Sequence, residues 1–171
     1  MPHDTIYLIV TGAGTARRIP ALLDGLVQLA PKVMTVLTPS AHRVVSQREL
    51  ALVPGHTIVE SYFDGTILPR PPRGVVLVAP CTFNTLNKLA AGIADSLALS
   101  ITAEAIGRRT PVVIAVSANL PLWAHPKSAE SVATLRRWSC EVIDPDQTLD
   151  GLTLASDERI LDAVKQALAG D

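Results

Sequence analysis

Thr5-Ile6-Tyr7-Leu8-Ile9-Val10-Thr11-Gly12-Ala13-Gly14-Thr15 is the stretch that decides the fold. Its first six residues are a continuous apolar and β-branched run, which reads as a strand buried on both faces. The glycine-containing tail makes a tight loop. A helical pattern follows, with Ile19, Leu22, Leu23, Leu26, Val27 and Leu29 on one side. Val33 to Leu37 is a second strand. Thr38-Pro39-Ser40 breaks it, and Ser40 caps a short helix over residues 41–47. His56 to Ser61 reads as a strand and Asp64-Gly65 as a turn. Pro69, Pro71 and Pro72 forbid regular structure between them. Gly74 to Ala79 is a fully apolar strand, followed by helical stretches near 82–91 and 97–107. Pro111 to Val116 is a further buried strand, Glu141-Val142-Ile143 a short one, and Glu158 to Ala169 a closing amphipathic helix. The alternation of strands with helices predicts an α/β fold with a parallel sheet.

The chain has 171 residues, 48% hydrophobic and 18% charged, where a soluble domain averages about 25% charged. That length favours one domain, residues 1–171. The low charge implies unusual compactness or surface buried against copies of itself. Fifteen basic and sixteen acidic residues give a net charge of −1, with no long run of either sign, which argues against a nucleic-acid surface. No apolar stretch reaches the roughly 18 residues of a membrane span. Gly12, Gly14 and Arg17-Arg18 follow the first apolar run too closely for a signal peptide. Cys81 and Cys140 make neither a metal cluster nor a disulfide framework. The expectation is a cytoplasmic enzyme or small-molecule binder.

In open α/β sheets, ligands sit beyond the carboxyl ends of the strands. Four loops matter there: Thr11–Thr15, Thr38–Ser40, Pro80–Thr85 and Ser117–Trp123. They carry small residues, hydroxyls and amides, and no acid, which suits a phosphate. The first is not a dinucleotide fingerprint, because Arg17 stands where a third glycine belongs, and it lacks the lysine of a P-loop. Within the third, Thr82 or Asn84 could cap the helix that follows.

The third loop and its helix, Pro80-Cys81-Thr82-Phe83-Asn84-Thr85-Leu86-Asn87-Lys88-Leu89-Ala90-Ala91-Gly92-Ile93-Ala94-Asp95-Ser96-Leu97, resemble the homo-oligomeric flavin-containing cysteine decarboxylases. Their signature is P-A-S-A-N-T followed by I-x-K-x-A-x-G-I-x-D-x-L. Pro80, Asn84 and Thr85 match it, with Thr82 in place of the serine, and Lys88, Ala90, Gly92, Ile93, Asp95 and Leu97 match the helix. A second family signature, P-x-M-N-x-x-M-W, meets Val116-Ser117-Ala118-Asn119-Leu120-Pro121-Leu122-Trp123, where Asn119 and Trp123 survive. The opening strand with Thr11-Gly12 and the Thr38-Pro39-Ser40-Ala41 loop fit in the same order, so the resemblance covers roughly residues 5–145.

The resemblance implies a Rossmann-like (flavodoxin-like) open parallel sheet flanked by helices, in three αβα layers. It implies FMN at a subunit interface of a homotrimer, with trimers able to build dodecamers. Carried over, Gly12, Ala13 and Thr15 line the first flavin loop, and Thr15 and Ser40 hold the phosphate region by hydroxyl hydrogen bonds. Pro80, Cys81, Thr82, Asn84 and Thr85 contact the flavin and its phosphate or ribityl chain, and the ring lies against Leu122. Asn119 binds the substrate carboxylate. Asp95 is structural, pinning a backbone or a neighbouring subunit from within its helix. The implied reaction is oxidation of a C-terminal cysteine to a thioaldehyde, with loss of CO2 to an enethiolate.

Two departures steer the reading. Family decarboxylases carry an active-site histidine shortly before the strand that ends in the third loop. Here residues 65–72 hold none, and Thr66 falls near the place. His42, His56 and His125 lie elsewhere, and His125 is a modest candidate for a substitute acid or base. The pantothenate-pathway members carry a cysteine-containing, glycine-rich segment after the last strand. Asp144 to Gly151 has no cysteine, and Cys140 just before that strand reads as buried and inert. The chain thus looks like an enzyme acting on a precursor peptide with a C-terminal cysteine. Alternatives are an FMN-binding subunit without decarboxylase activity, a phosphopantothenoylcysteine decarboxylase-like enzyme, and a flavin prenyltransferase.

Overall fold

The computed structural model describes residues 4–67 and 74–170. In chain order its elements are β1 (Thr5–Val10), α1 (Ile19–Leu29), β2 (Lys32–Leu37), α2 (Gln47–Ala51), β3 (His56–Ile58) and β4 (Gly74–Cys81). There follow α3 (Phe83–Ala90), α4 (Leu97–Gly107), β5 (Val112–Val116), α5 (Leu120–Trp123), α6 (Pro126–Arg137) and β6 (Glu141–Ile143). A hairpin, β7 (Asp146–Thr148) and β8 (Gly151–Thr153), and the helix α7 (Asp157–Ala169) close the chain. Strands β1 to β6 form one sheet in the order β3-β2-β1-β4-β5-β6, every pair parallel. The strand order reverses between β1 and β4, so the crevice that receives a ligand opens over their carboxyl ends.

β1 is central, and all six of its residues are buried. Side-chain alternation along it feeds two separate cores. Ile6, Leu8 and Val10 pack with α1 and α7, including Leu22, Leu26, Ile160 and Val164. Tyr7 and Ile9 pack on the other face with Leu86 of α3, Ile101 of α4 and Leu135 of α6. Each such large side chain contributes about 1.5–3 kcal/mol when fully buried. The two cores make the three layers expected, and the apolar strand runs are long because both faces are covered. Gly74 starts β4 so close to β1 that a Cβ there would lie 2.0 Å from the Thr5 carbonyl oxygen. Among the described residues no helix is long and apolar enough to cross a membrane, and no cluster of His, Cys, Asp or Glu could hold a metal.

The helix expected over 41–47 is instead a 3-10 turn, Ala41–Arg43, and then α2. Ser40 sits at the N-cap of the turn but makes no side-chain cap bond. The true cap is Ser46, whose hydroxyl accepts from the Glu49 N–H while the Glu49 carboxylate accepts from the Ser46 N–H. Such a reciprocal box satisfies free N–H groups at the start of the helix, so Ser46→Ala should lower unfolding free energy by about 1 kcal/mol in a urea titration and leave ligand binding unchanged. The strand expected over 56–61 stops at Ile58. The helix expected near 82–91 ends at Ala90, short of the Leu97 to which the family's helix pattern extends. The Ile93 N–H bonds the Lys88 carbonyl, the Gly92 N–H bonds the Leu89 carbonyl, and Gly92 turns the chain at φ 71°. That Schellman cap turns the chain back before α4 begins. Pro69, Pro71 and Pro72 lie outside the described residues.

Candidate functional site

The first loop acts as a hub that locks the other three. The Thr11 hydroxyl donates to the Pro80 carbonyl at 2.6 Å and accepts from the Thr82 N–H at 3.0 Å, which ties it to the third loop. Thr11 is buried, so both of its bonds are shielded from water. Gly12 meets the second loop: a Cβ there would stand 2.4 Å from the Ser40 Cβ. The Thr15 hydroxyl bonds the Ser117 hydroxyl at 2.7 Å, which brings in the fourth loop.

A cleft of about 380 Å³ opens among the first three loops and the start of α4. Gly12, Ser40, Thr82, Asn84 and Thr85, all expected at the site, line it together with Thr11 and Thr38. Thr82 caps α3, accepting from the Thr85 N–H at 3.3 Å, and its hydroxyl donates to that of Thr85 at 3.1 Å. Asn84 is therefore free of capping and exposed. Among the described residues the one acid lining the cleft is Asp95, which does not sit inside a helix as expected. It stands in the exposed segment between α3 and α4, and its carboxylate is paired with the Lys88 ammonium at 2.7 Å. The cleft thus offers hydroxyls, the start of α3 and a neutralised acid. This donor set fits the phosphate end of a flavin mononucleotide.

Ala13, Thr15, Pro80, Cys81, Asn119 and Leu122, also expected at the site, do not line this cleft. Ala13 is half-buried before the 3-10 turn Gly14–Arg18. Pro80, joined to Ala79 by a cis peptide bond, has its carbonyl taken by Thr11. Cys81 is fully buried at the end of β4, its thiol donating to the Thr82 carbonyl at 3.7 Å. Asn119 is the exposed N-cap of α5, its Oδ1 accepting from the Leu122 N–H at 3.0 Å. Leu122 is itself partly exposed on that helix.

The histidines are accounted for as follows. His56 has both ring nitrogens bonded, to the Thr35 hydroxyl at 2.9 Å and to the Leu50 carbonyl at 2.8 Å. His125 Nδ1 caps α6, accepting from the Lys127 N–H at 3.0 Å, and its ring meets the Phe83 ring edge-on at 5.4 Å. His42 is exposed on the 3-10 turn. Thr66, near the place of the family histidine, donates its N–H and hydroxyl to Asp64 at 2.9 and 2.8 Å. Those bonds hold the Asp64 carboxyl below the usual carboxylate range.

Burial pushes the Cys81 thiol far up, and the Cys140 thiol to about 11. Both are neutral thiols at pH 7 and poor nucleophiles. Iodoacetamide should leave both unmodified in the folded protein and label both in urea, as read by intact mass.

Three residues take roles that the resemblance did not assign: Thr11 as the lock, Ser117 as partner of Thr15, and Arg18. The Arg18 guanidinium donates to the Leu154 and Ala155 carbonyls at 2.8 and 2.9 Å and pairs with Asp157. It thereby anchors the base of the β7–β8 hairpin beside the first loop. The Arg159–Asp146 pair and the Ser156 N–H bond to Asp146 hold the same base from the other side. The sequence signal for Thr11 and Ser117 is a hydroxyl directly after a buried strand, where it must find a partner.

A loop-bound phosphate cleft at the switch point of a parallel sheet defines a nucleotide- or flavin-binding α/β protein. The model of the family described as Flavoprotein matches residues 1–168, and the chain belongs to that family. The coenzyme A biosynthesis bifunctional protein CoaBC of Mycobacterium bovis is 31% identical over 141 residues, which is 80% of this chain and 33% of CoaBC. The chain therefore spans about a third of the length of the curated relatives it matches. Among solved structures, the FMN-dependent cysteine decarboxylase SpaF superposes with a TM-score of 0.77 at 26% identity, covering 97% of this chain and 98% of SpaF. The peptidyl-cysteine decarboxylase EpiD gives 0.81 at 21% identity, covering 95% and 98%. A PPC decarboxylase mutant complexed with pantothenoylaminoethenethiol gives 0.82 at 21%, covering 95% and 97%. The last two likenesses are likenesses of fold. Family membership agrees with the resemblance drawn from the loops to the flavin-containing cysteine decarboxylases, and with FMN as the cofactor.

Proposed function

We propose that this chain catalyses the FMN-dependent oxidative decarboxylation of the C-terminal cysteine of a ribosomally made precursor peptide. The product is an enethiol, suited to building an aminovinyl-cysteine type ring. The observation that supports the reading is one cleft lined by the first three loops, joined by Thr11 and by the close approach of Gly12 to Ser40, whose only acid among the described residues is already paired.

Bound there, FMN supplies a two-electron acceptor. Gly12, Ala13 and Thr15 would line its first loop, Thr15 and Ser40 would hold its phosphate region, Thr82, Asn84 and Thr85 its phosphate or ribityl chain, and Leu122 would offer apolar surface. The backbone of Pro80 and Cys81 completes that wall. Two electrons and two protons leave the substrate cysteine, from its S–H and one Cβ–H, and give a thioaldehyde. The Cα–carboxyl bond then breaks. Its electron pair moves toward sulfur to give the enethiolate, and CO2 leaves. Asn119 is the proposed carboxylate-binding residue. Its Oδ1 is committed to the Leu122 N–H, so the amide N–H2 is the face left to donate. A neutral amide orients the carboxylate without a salt bridge that would favour its retained charge. We assign the exposed run Ala91–Asp95, with Ile93, and the exposed Leu120 to cover by a second subunit of a homotrimer.

A second reading, decarboxylation of phosphopantothenoylcysteine, is favoured by the CoaBC relationship. Residues 144–151 oppose it, because they lack the cysteine that the pantothenate-pathway members carry there. The purified yellow protein should be incubated with peptides ending in cysteine and, in parallel, with phosphopantothenoylcysteine. Loss of CO2 and two hydrogens from a peptide supports the proposal. Conversion of the pantothenoyl compound alone supports the second reading. No conversion of either, with flavin bound, would identify a flavin-binding subunit without decarboxylase activity.

A further inference from the structure

Among the described residues the largest cavity lies at the far end of the sheet from the flavin cleft. It holds about 830 Å³ between the carboxyl ends of α3, α4 and α6 and the starts of β5 and β6. Sites for small organic ligands hold about 300–1,000 Å³. Leu89, Ile106, Val112 and the 44% exposed Trp138 give the cavity an apolar floor and wall. Arg109 and Arg137 stand in its lining, and among the described residues no acid does.

All three helices end there in Schellman caps. The Gly92 and Ile93 N–H groups bond the Leu89 and Lys88 carbonyls, those of Arg109 and Thr110 the Ile106 and Ala105 carbonyls, and those of Ser139 and Cys140 the Arg136 and Leu135 carbonyls. The backbone thus satisfies the helix ends, and neither guanidinium is needed to cap them. Among the described residues Arg109 makes no side-chain hydrogen bond or ion pair, and Arg137 donates only to the Thr134 hydroxyl. Each helix end carries roughly half a negative charge. Two full positive charges outweigh three such ends, so the cavity is net cationic. Arg109 also holds φ at 61°, the cap position where glycine is usual. An arginine there costs stability that a glycine would not.

We infer that this cavity is a second ligand site, separate from the flavin cleft, for a small amphipathic anion. The apolar chain of the ligand lies on Leu89, Ile106 and Val112 beside Trp138, and its carboxylate or phosphate monoester is held by Arg109 and Arg137. An apolar pocket with a few convergent polar groups is the usual form of a small-molecule site. Guanidinium groups match both anions by paired N–H donors. The inference does not depend on the proposed reaction.

Decanoate and decyl phosphate, each below its micellar concentration, are the probes, titrated calorimetrically into the FMN-loaded protein. One molecule should bind per chain, and the tighter of the two identifies the head group. Octanoate should bind about tenfold more weakly than decanoate, for two methylenes fewer. Decylamine should not bind. Arg137→Gln and Arg109→Gly should each weaken the binding about tenfold. Arg109→Gly should at the same time raise the melting temperature by about 2–4 °C, because it relieves the cap. Loss of binding in a more stable protein excludes unfolding as its cause. FMN should stay bound throughout. No saturable binding, as when another subunit closes the cavity, would overturn the proposal. So would equal affinity in wild type and both arginine variants, equal binding of decylamine, or release of FMN by decanoate.

Discussion

Asn119→Ala should abolish turnover of a cysteine-terminal peptide while the protein stays folded and yellow. The expected fall in kcat/KM is on the order of 100-fold or more, the scale for losing one donor aimed at a charged reacting group. Two roles are removed together, because Asn119 also caps α5 through its Oδ1. A cap alone accounts for about 1 kcal/mol of stability and not for turnover. Asn119→Ser and Asn119→Asp separate the two, since both keep a cap acceptor. The serine offers one short donor, and partial activity is expected. The aspartate places a negative charge against the substrate carboxylate, and no activity is expected. Equal activity in wild type and Asn119→Asp, with equal melting temperatures, would show that this side chain only caps its helix.

Gly12→Ala should release the flavin. The new Cβ would lie 2.4 Å from the Ser40 Cβ and 2.9 Å from the Ser40 carbonyl carbon, which is backbone and cannot swing aside. The first and second loops must separate. Thr11, one residue earlier, would be drawn off the Pro80 carbonyl and the Thr82 N–H. The cost falls on the cleft more than on the core, because β1 ends at Val10. A fluorescence titration should show FMN affinity reduced on the order of 100-fold, about 2.7 kcal/mol by the usual conversion. Gly14→Ala is the control: no atom lies within 4 Å of its Cβ position, and FMN affinity should hold. Equal affinity for wild type and Gly12→Ala would mean that the apposition of Gly12 and Ser40 does not shape the flavin site.

The central sheet was legible because its strands are buried on both faces and spell themselves as apolar runs, as β1 and β4 do. α6 was not read as a helix. Two of its four buried residues are serines, Ser128 and Ser131, satisfied by the Leu122 carbonyl and the Asn87 side chain, so its apolar periodicity is thin. The β7–β8 hairpin has three-residue strands with a single apolar side chain, Leu152, too short for an alternation to register. At the site, the loops and their hydroxyls could be found from position alone, directly after buried strands. Which hydroxyl meets which could not. The Thr15–Ser117 bond spans 102 positions and the Thr11–Pro80 bond 69, and pairings of that range come from the sheet order. Asp95 illustrates the same limit: its partner Lys88 was in view, but the Schellman cap at Gly92 that turns the chain back was not.

The low charge fraction, 18%, goes with exposed apolar side chains at several places: Ile93 and Leu120, which the proposed function puts against another subunit, and Leu52, Phe63, Leu122, Trp138 and Leu149.

Oxidative decarboxylation is tested most directly by one anaerobic turnover. FMN-loaded protein is mixed with an excess of a cysteine-terminal peptide in the absence of oxygen, and flavin absorbance and released CO2 are followed together. The account predicts that the yellow absorbance bleaches and that one CO2 appears for each flavin reduced. CO2 released with the flavin still oxidised, or a flavin that stays yellow with every cysteine-terminal peptide offered, would contradict it.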